Sequence, residues 1–449
     1  MREFIPTDEQ TEFIEAVQVL IECKIGIMGL DAPAGTGKSS VIKYIRSINK
    51  SKNILVLAPT HKACSLFDFP VITIHKFLNA EKNIDDDGEI FFDFKIPIID
   101  KIDLIIIDEA SMVSELMYST FKKLSESVPI LFCGDKSQIP PVEESTSIIF
   151  QEVKCSTFTK NMRSRDSLSN HWLKKFKDAI SNDSIIRVDK TPSIVVYNSF
   201  KNKEDSIVLA WTNRQVSHWN NIIRKNLFFT KDNTNALKKY YENEKLVFSG
   251  YRNTLNQKEA LNKPWFQNLN LKVNFKLVDS NDSPIKYYSS DMFTIKKIET
   301  QEVFIPFFRC QHQVDSLKLR KCIACNIKGH NTLGHDINFY VLTDDNGITW
   351  LKAFDKEQEE LVNSILLDLR NHCKHIKEKQ LWKTYYDIKE IINPNINYIY
   401  ASTIHKAQGS QWSNVFVDID NIRFCRDHSL SSRLQYTAVS RMINEILFV

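Results

Sequence analysis

The octapeptide Ala32-Pro33-Ala34-Gly35-Thr36-Gly37-Lys38-Ser39 constrains the fold of this chain more than any other segment. It follows an apolar run, Ile25 to Leu30, and opens a helical pattern, so a strand must turn through glycines directly into a helix. That geometry aims consecutive backbone N–H groups and a helix N-terminus at one place, which suits phosphate oxygens. Lys38 supplies charge for those oxygens, and the Ser39 hydroxyl is an oxygen ligand for Mg²⁺. Ala32, standing where Gly is usual, is the one departure from the phosphate-loop pattern.

Apolar runs recur at Asn53 to Ala58, Leu104 to Ile107 and Pro129 to Cys133 with helical patterns between them, the rhythm of a parallel α/β sheet. Leu104 to Ile107 has no polar face, as expected of a central strand covered on both sides. Ligands of such sheets gather at the carboxyl edge. Asp108 and Glu109 come straight off that strand, one to hold Mg²⁺ and the other to orient an attacking water. The run ending at Cys133 exits into Gly134-Asp-Lys-Ser-Gln138-Ile-Pro-Pro-Val142, which brings a carboxylate and an amide to the same edge, where Gln138 can sense a γ-phosphate.

With 449 residues the chain has room for about three domains. Its 43% hydrophobic and 25% charged residues exclude a wholly disordered or collagen-like polymer. A net charge of +4 is too small to announce nucleic acid by bulk electrostatics, so that partner must be argued from sites. No segment has the apolar length of a signal peptide or a spanning helix, and a soluble cytoplasmic protein without a membrane partner is expected. Nine scattered cysteines read as reduced thiols. Only 11 residues are glycine, yet Gly35, Gly37, Gly134 and Gly409 all fall in chemistry-bearing segments.

The predicted organisation is an α/β protein with two parallel-sheet domains, each carrying an insertion. Residues 1–158 form the first, interrupted at about 80–101 by a hairpin with its turn at Asp85, Asp86, Asp87 and Gly88. Residues 159–226 and 396–449 form the second, with strands at Ser206 to Trp211, Val415 to Ile419 and Ile446 to Val449. Between its halves, residues 227–395 read as a β-containing domain, with strands at Met292 to Lys297 and Asn338 to Leu342, plus a helix from Asp355 to Glu390.

Taken in order, these segments resemble a superfamily 1 helicase, most closely the Dda-like and RecD-like DNA helicases that move 5′ to 3′. The resemblance runs through Pro6 to Gln10, Ala32 to Ser39, Ala58 to Ala63, Thr73 to Phe77, Asp108 to Ser111 and Gly134 to Val142. It continues at Lys160 to Ser164, Ala210 to Arg214, Ser402 to Ser410 and Tyr436 to Arg441. It implies two RecA-like domains, a strand-separating pin in the first and a β-rich, SH3-like insertion in the second. ATP and Mg²⁺ are the implied ligands, with single-stranded and forked duplex DNA as partners and single-strand-binding or replication and recombination proteins as further ones. The pin insertion of about 20 residues argues against UvrD-like relatives of opposite polarity, whose counterpart is much larger.

The resemblance also assigns roles. Gln10 reads the adenine; Ala32, Pro33, Ala34, Gly35, Thr36, Gly37, Lys38, Ser39, Ser40 and Gly409 border the nucleotide; Arg163 and Arg441 reach the γ-phosphate as arginine fingers. Thr60, His61, Thr73, His75, Thr403, His405, Lys406 and Gln408 match positions that face the single strand, where Thr and His bond phosphates without burying a lysine. Phe91, Phe92 and Phe94 lie where the pin is expected and can stack on the first unpaired base, the other reading being that two of the three simply pack the base of the hairpin. Trp382, Tyr385 and Tyr386 match an aromatic helix that braces it, although core packing explains them equally.

Outside this pattern, Cys322, Cys325, His330 and His335 have the spacing of a zinc knuckle, with Cys310 and His312 as alternative ligands and a metal-free insertion as the other reading. Three rival functions stand beside the helicase: a nucleic-acid-stimulated translocase that displaces proteins without unwinding, an ATP-gated binding module, and a phosphate-loop kinase. The binding module needs a broken site, whereas Lys38, Ser39, Asp108, Glu109, Gln138, Arg163 and Arg441 are all present. A kinase leaves Ser402 to Ser410 unexplained.

Overall fold

Four consecutive apolar residues, Leu104–Ile107, build the centre of the first sheet in the computed structural model by facing alternately up and down. Leu104 and Ile106 join the core under the helices Asp8–Cys23 and Lys38–Ile48. Ile105 and Ile107 join the core under Glu115–Leu124. Each such burial contributes about 1.5–3 kcal/mol, which is why this strand tolerates no polar face. The structure describes residues 4–141, 144–162, 167–182, 184, 186–202, 204–228, 240–248, 252–253, 286–287, 292–308, 317–331, 351–354, 356–377, 379, 381–382, 385–386, 389 and 396–449.

The first sheet has six parallel strands in the order Ile72–Thr73, Ile54–Ala58, Leu104–Ile107, Ile130–Gly134, Ile27–Asp31 and Cys155–Thr157. Every strand therefore ends at one edge. The helix Asp8–Cys23 starts on a capping box, Thr7 with Gln10, and Asp8 and Glu9 complement its dipole. The second sheet has four parallel strands, Ala401–Thr403, Ser206–Ala210, Trp412–Val417 and Met442–Phe448. Its core joins Ile207, Leu209, Val415 and Val417 to Phe176, Leu434 and Tyr436.

The second sheet differs in detail from the sequence reading. The strand expected at Val415 to Ile419 lies at Trp412–Val417, because Asp418 caps a short helix, Ile419–Arg423, and ends the strand early. The edge strand Ala401–Thr403 is too short to leave a periodic signature. Both sheets lie in one compact unit, residues 1–81, 93–227 and 400–449.

Residues 82–92 and 228–399 form a second unit. Its antiparallel sheet runs Leu351–Phe354, Leu317–Asn331, Met292–Phe308, Lys245–Phe248 and Ile396–Tyr398, with the helix Lys356–Ile376 where a helix is expected. Asn338 to Leu342 lies outside the described residues. The Asp-Gly hairpin turn is present: Asp85 Oδ1 accepts the N–H groups of Asp87 at 3.0 Å and Glu89 at 2.8 Å, and Gly88 adopts φ +84°. Trp382 Nε1 donates to the Asp86 carbonyl at 3.0 Å, and the Tyr386 hydroxyl donates to that of Gly88 at 2.8 Å. A side chain at Gly88 would meet the Trp382 ring at 2.5 Å, so glycine is required twice, for its φ and for this contact.

Candidate active site

The phosphate-type loop is built as its glycines demand. Gly35 and Gly37 both take φ +88°, and Gly37 opens the helix Lys38–Ile48 with no side-chain cap, which leaves the first helical N–H groups for an anion. A Cβ at Gly37 would stand 2.9 Å from Gln10 Nε2. Gln10 is buried against the loop: its Nε2 donates to the Thr36 carbonyl at 3.0 Å and its Oε1 accepts the Thr7 N–H at 3.0 Å. Ala32 and Thr36 are buried, Pro33, Ala34 and Ser39 half-buried, and Ser40 is exposed.

Lys38 Nζ lies 2.7 Å from Asp108 Oδ1 and 3.5 Å from Glu109 Oε2. Burial pulls the Lys38 ammonium down, but the charges of Asp108 and Glu109 outweigh it and hold the group charged, above its ordinary value. Glu109 adopts the left-handed conformation, φ 51°, which costs on the order of 1–3 kcal/mol and marks a backbone position held by its surroundings. The buried carboxylates of Asp108 and Glu109 and the hydroxyl of Ser39 at the helix start are hard oxygen donors of the kind that suits Mg²⁺.

The second sheet contributes from helix His428–Val439 onward. Arg441 Nη2 donates to Gln138 Oε1 at 2.9 Å, so residues 303 positions apart meet at the carboxyl edge of the first sheet. Burial lowers the Arg441 pKa against the opposing charges of Glu109 and Asp135, and the guanidinium stays charged. Arg163 lies outside the described residues. Just before it, the Met162 N–H donates to the Gly35 carbonyl at 2.7 Å, which ties that segment to the loop.

The strand-facing candidates form three similar corners. Thr60, Thr73 and Thr403 each cap a one-turn helix, their hydroxyls accepting the N–H of Ala63 at 3.1 Å, Lys76 at 3.3 Å and Lys406 at 3.4 Å. A hydroxyl that accepts one N–H in this way can still donate its proton to a phosphate. Thr73-Ile-His-Lys76 and Thr403-Ile-His-Lys406 are the same tetrapeptide, each at the end of an edge strand, with cap angles of −73°, 148° and −73°, 149°. This internal repeat is legible in the sequence but far shorter than any domain repeat. Lys406 is exposed, whereas Gln408 is buried and donates to the Ile139 carbonyl at 3.3 Å. Gly409 sits against Ala63, whose Cβ a side chain at Gly409 would meet at 3.2 Å. Lys62, which the sequence reading did not single out, lies 4.7 Å over the Trp412 ring.

Burial lowers the pKa of His61, with Lys76 adding to it, and burial alone lowers those of His75 and His405. All three are neutral at pH 7. Below about pH 6.5 the unfolded chain takes up protons there more readily than the folded one, so these residues make stability fall as pH drops. Thermal unfolding should show a midpoint a few degrees lower at about pH 5.5 than at pH 7.5, and His75→Gln with His405→Gln should shrink that difference.

Of the three pin rings, Phe91 and Phe92 are 44% and 40% exposed. Phe94 instead packs against the first-sheet core with its ring 6.0 Å from His75, which removes it from the base-contacting set.

The zinc reading finds no support. Cys322, Cys325 and His330 lie on one strand, Leu317–Asn331, paired with Met292–Phe308 along its length, so no knuckle turn separates the two cysteines. His335, Cys310 and His312 lie outside the described residues. Among the described residues no group of three or more His, Cys, Asp or Glu is placed to hold a metal, and none of their helices is long and apolar enough to cross a membrane.

This arrangement of two parallel sheets, a phosphate loop, a strand-end carboxylate pair and an arginine from the second sheet defines a nucleotide-site protein of the tandem RecA-like class. Residues 14–144 match the AAA domain family, and residues 398–442 match the UvrD-like helicase C-terminal domain. An uncharacterized protein of Acanthamoeba polyphaga mimivirus is 24% identical over 93% of this chain and 94% of its own. The ATP-dependent DNA helicase Dda of Enterobacteria phage T4 is 24% identical over 99% of both chains. The crystal structure of Pif1 helicase from Bacteroides, in complex with ADP-AlF3 and single-stranded DNA, shares the fold with a TM-score of 0.50 at 15% identity, over 99% of this chain and 92% of that one. The chain is thus similar along nearly its whole length to the helicase Dda, and its two parallel-sheet regions match the AAA and UvrD-like helicase C-terminal families.

Proposed function

We propose that this protein is an ATP-dependent DNA helicase that translocates on single-stranded DNA 5′ to 3′ and unwinds forked duplex. The observation that carries the reading is the Arg441 to Gln138 bond at 2.9 Å, which sets a cation of the second sheet at the edge where Lys38, Asp108 and Glu109 meet. An arginine so placed stabilises phosphoryl-transfer charge only when the two sheets close on the nucleotide, so closure and hydrolysis are linked. Gln10, bonded to the loop at Thr36, would orient the base.

Ser39 and Asp108 are the residues to hold Mg²⁺, which when bound neutralises phosphate charge. Lys38 adds a fixed positive charge beside them, and Glu109 is the group to orient water and take its proton. Arg163 is assigned as a second finger by the family resemblance. On the DNA side, the Thr60, Thr73 and Thr403 hydroxyls with His61, His75, His405 and Lys406 would grip phosphates from both sheets. Opening and closing would then alternate the two grips.

Phe91 and Phe92 are proposed to stack on the first unpaired bases, each contact being worth about 1–3 kcal/mol. The experiment measures ATP hydrolysis with and without single-stranded DNA, then strand separation on duplexes tailed at the 5′ or 3′ end. Strong stimulation and unwinding from 5′ tails are expected. Phe91→Ala with Phe92→Ala should cut unwinding at least tenfold while stimulated hydrolysis stays within about twofold. Hydrolysis indifferent to nucleic acid sinks the assignment, and unwinding that survives both substitutions leaves a helicase that separates strands without these rings.

A further inference from the structure

Helix His428–Val439 lays one stripe of side chains along the loop that leaves the strand Ile130–Gly134. Arg433 donates to the carbonyls of Lys136 and Gln138, the Tyr436 hydroxyl donates to Asp135 Oδ2 at 2.7 Å, and Thr437 Oγ1 accepts the Ile139 N–H at 3.1 Å. Positions 433, 436 and 437 are three and four apart and so share a helix face.

Asp135 is where this stripe meets the nucleotide loop. Its Oδ2 also accepts the Ala34 N–H at 3.1 Å, and its Oδ1 accepts the Ser137 N–H at 3.0 Å. Both Asp135 and Tyr436 are 1% exposed. A buried carboxylate persists only when its oxygens are bonded. Here the donors come from three places: the phosphate loop, the carboxylate's own loop and the second sheet. Two of them share one oxygen, so a shift of the Ala34 N–H alters what that oxygen offers to Tyr436.

We propose that Asp135 and Tyr436 act as a relay from the phosphate loop to the second sheet, and that they are positioning residues for Arg441. Tyr436 lies five residues before Arg441, within the helix whose end carries it. A displacement at Ala34, in the middle of the loop, is thereby delivered to the arginine through two hydrogen bonds to one carboxylate oxygen and one helix. The ring of Tyr436 belongs to the second-sheet core and needs only packing, whereas its hydroxyl makes the contact directional. The inference rests on the helicase reading above.

The test uses the full chain with Tyr436→Phe, which keeps the ring, and Asp135→Asn, which keeps the shape. Wild type is measured first: absence of stimulation by single-stranded DNA would be a failure of the proposed function and not of the relay. With wild type stimulated, each variant should keep its far-ultraviolet circular dichroism and hold the ATP KM within about twofold, while kcat falls about tenfold. The difference in single-strand affinity between the nucleotide-free protein and the protein with a non-hydrolysable ATP analogue, read by fluorescence anisotropy, should vanish. The double variant should lose no more than either single one, because the two residues act as one pair. A Tyr436→Phe protein equal to wild type in kcat and in that affinity difference overturns the relay. A lowered melting temperature with kcat unchanged overturns it as well, since the hydroxyl then serves packing alone. Should Tyr436→Phe fail to fold, the same readouts on Asp135→Asn decide.

Discussion

Lys38→Ala should lower DNA-stimulated ATP hydrolysis by about 10²–10³-fold and abolish strand separation. The side chain lies between Asp108 at 2.7 Å and Glu109 at 3.5 Å, and their charges keep it protonated throughout the working pH range. Removing it takes away the positive charge assigned to the phosphate oxygens and leaves two buried carboxylates facing each other. The second effect costs stability, because a buried charge without its partner is strongly destabilising. Circular dichroism and a melting curve therefore accompany the hydrolysis assay. A variant that melts within a few degrees of wild type and keeps more than a tenth of its hydrolysis would remove Lys38 from the catalytic set.

Arg441→Ala should be at least as severe, about 10³-fold in kcat, because a finger acts on charge that develops only in the transition state. The ATP KM should change little, which separates this variant from one that has lost the loop. Arg441→Lys should rescue poorly. The guanidinium engages the Thr437 carbonyl at 3.2 Å, Ser440 Oγ at 2.7 Å and Gln138 Oε1 at 2.9 Å through a planar fork that an ammonium cannot reproduce. Full activity with lysine would reduce the residue to a simple counter-charge.

The site divides according to how far apart its partners stand in the chain. The loop Ala32 to Ser39 was legible because glycine angles and a strand-to-helix transition are decided by adjacent residues. Asp108 and Glu109 were legible for a similar reason, since an unbroken apolar strand delivers whatever follows it to the sheet edge. The Asp85 to Gly88 turn belongs to the same kind. Trp382 was harder: its ring could equally have packed a core, and only its bond to Asp86, 296 residues away, makes it a brace for the hairpin.

Other readings failed where local pattern and tertiary surroundings disagree. The Cys322 and Cys325 spacing suits a turn, yet the segment pairs along a 15-residue strand, whose ladder of backbone bonds leaves no room for one. Phe91, Phe92 and Phe94 are alike in sequence, yet Phe94 packs against the first-sheet core while Phe91 and Phe92 are exposed. Asp135 was legible as a carboxylate at the sheet edge and Tyr436 as the start of the Arg441 segment, but nothing local pairs a strand-end aspartate with a helical tyrosine. The sequence by itself determined the two parallel sheets, the phosphate loop and the edge at which carboxylates gather, all consequences of backbone geometry over a few neighbouring residues. Only the tertiary structure decided that Arg441 meets Gln138 and that Tyr436 meets Asp135, contacts spanning 303 and 301 residues, since a pairing across two sheets depends on how both pack and no local periodicity encodes it.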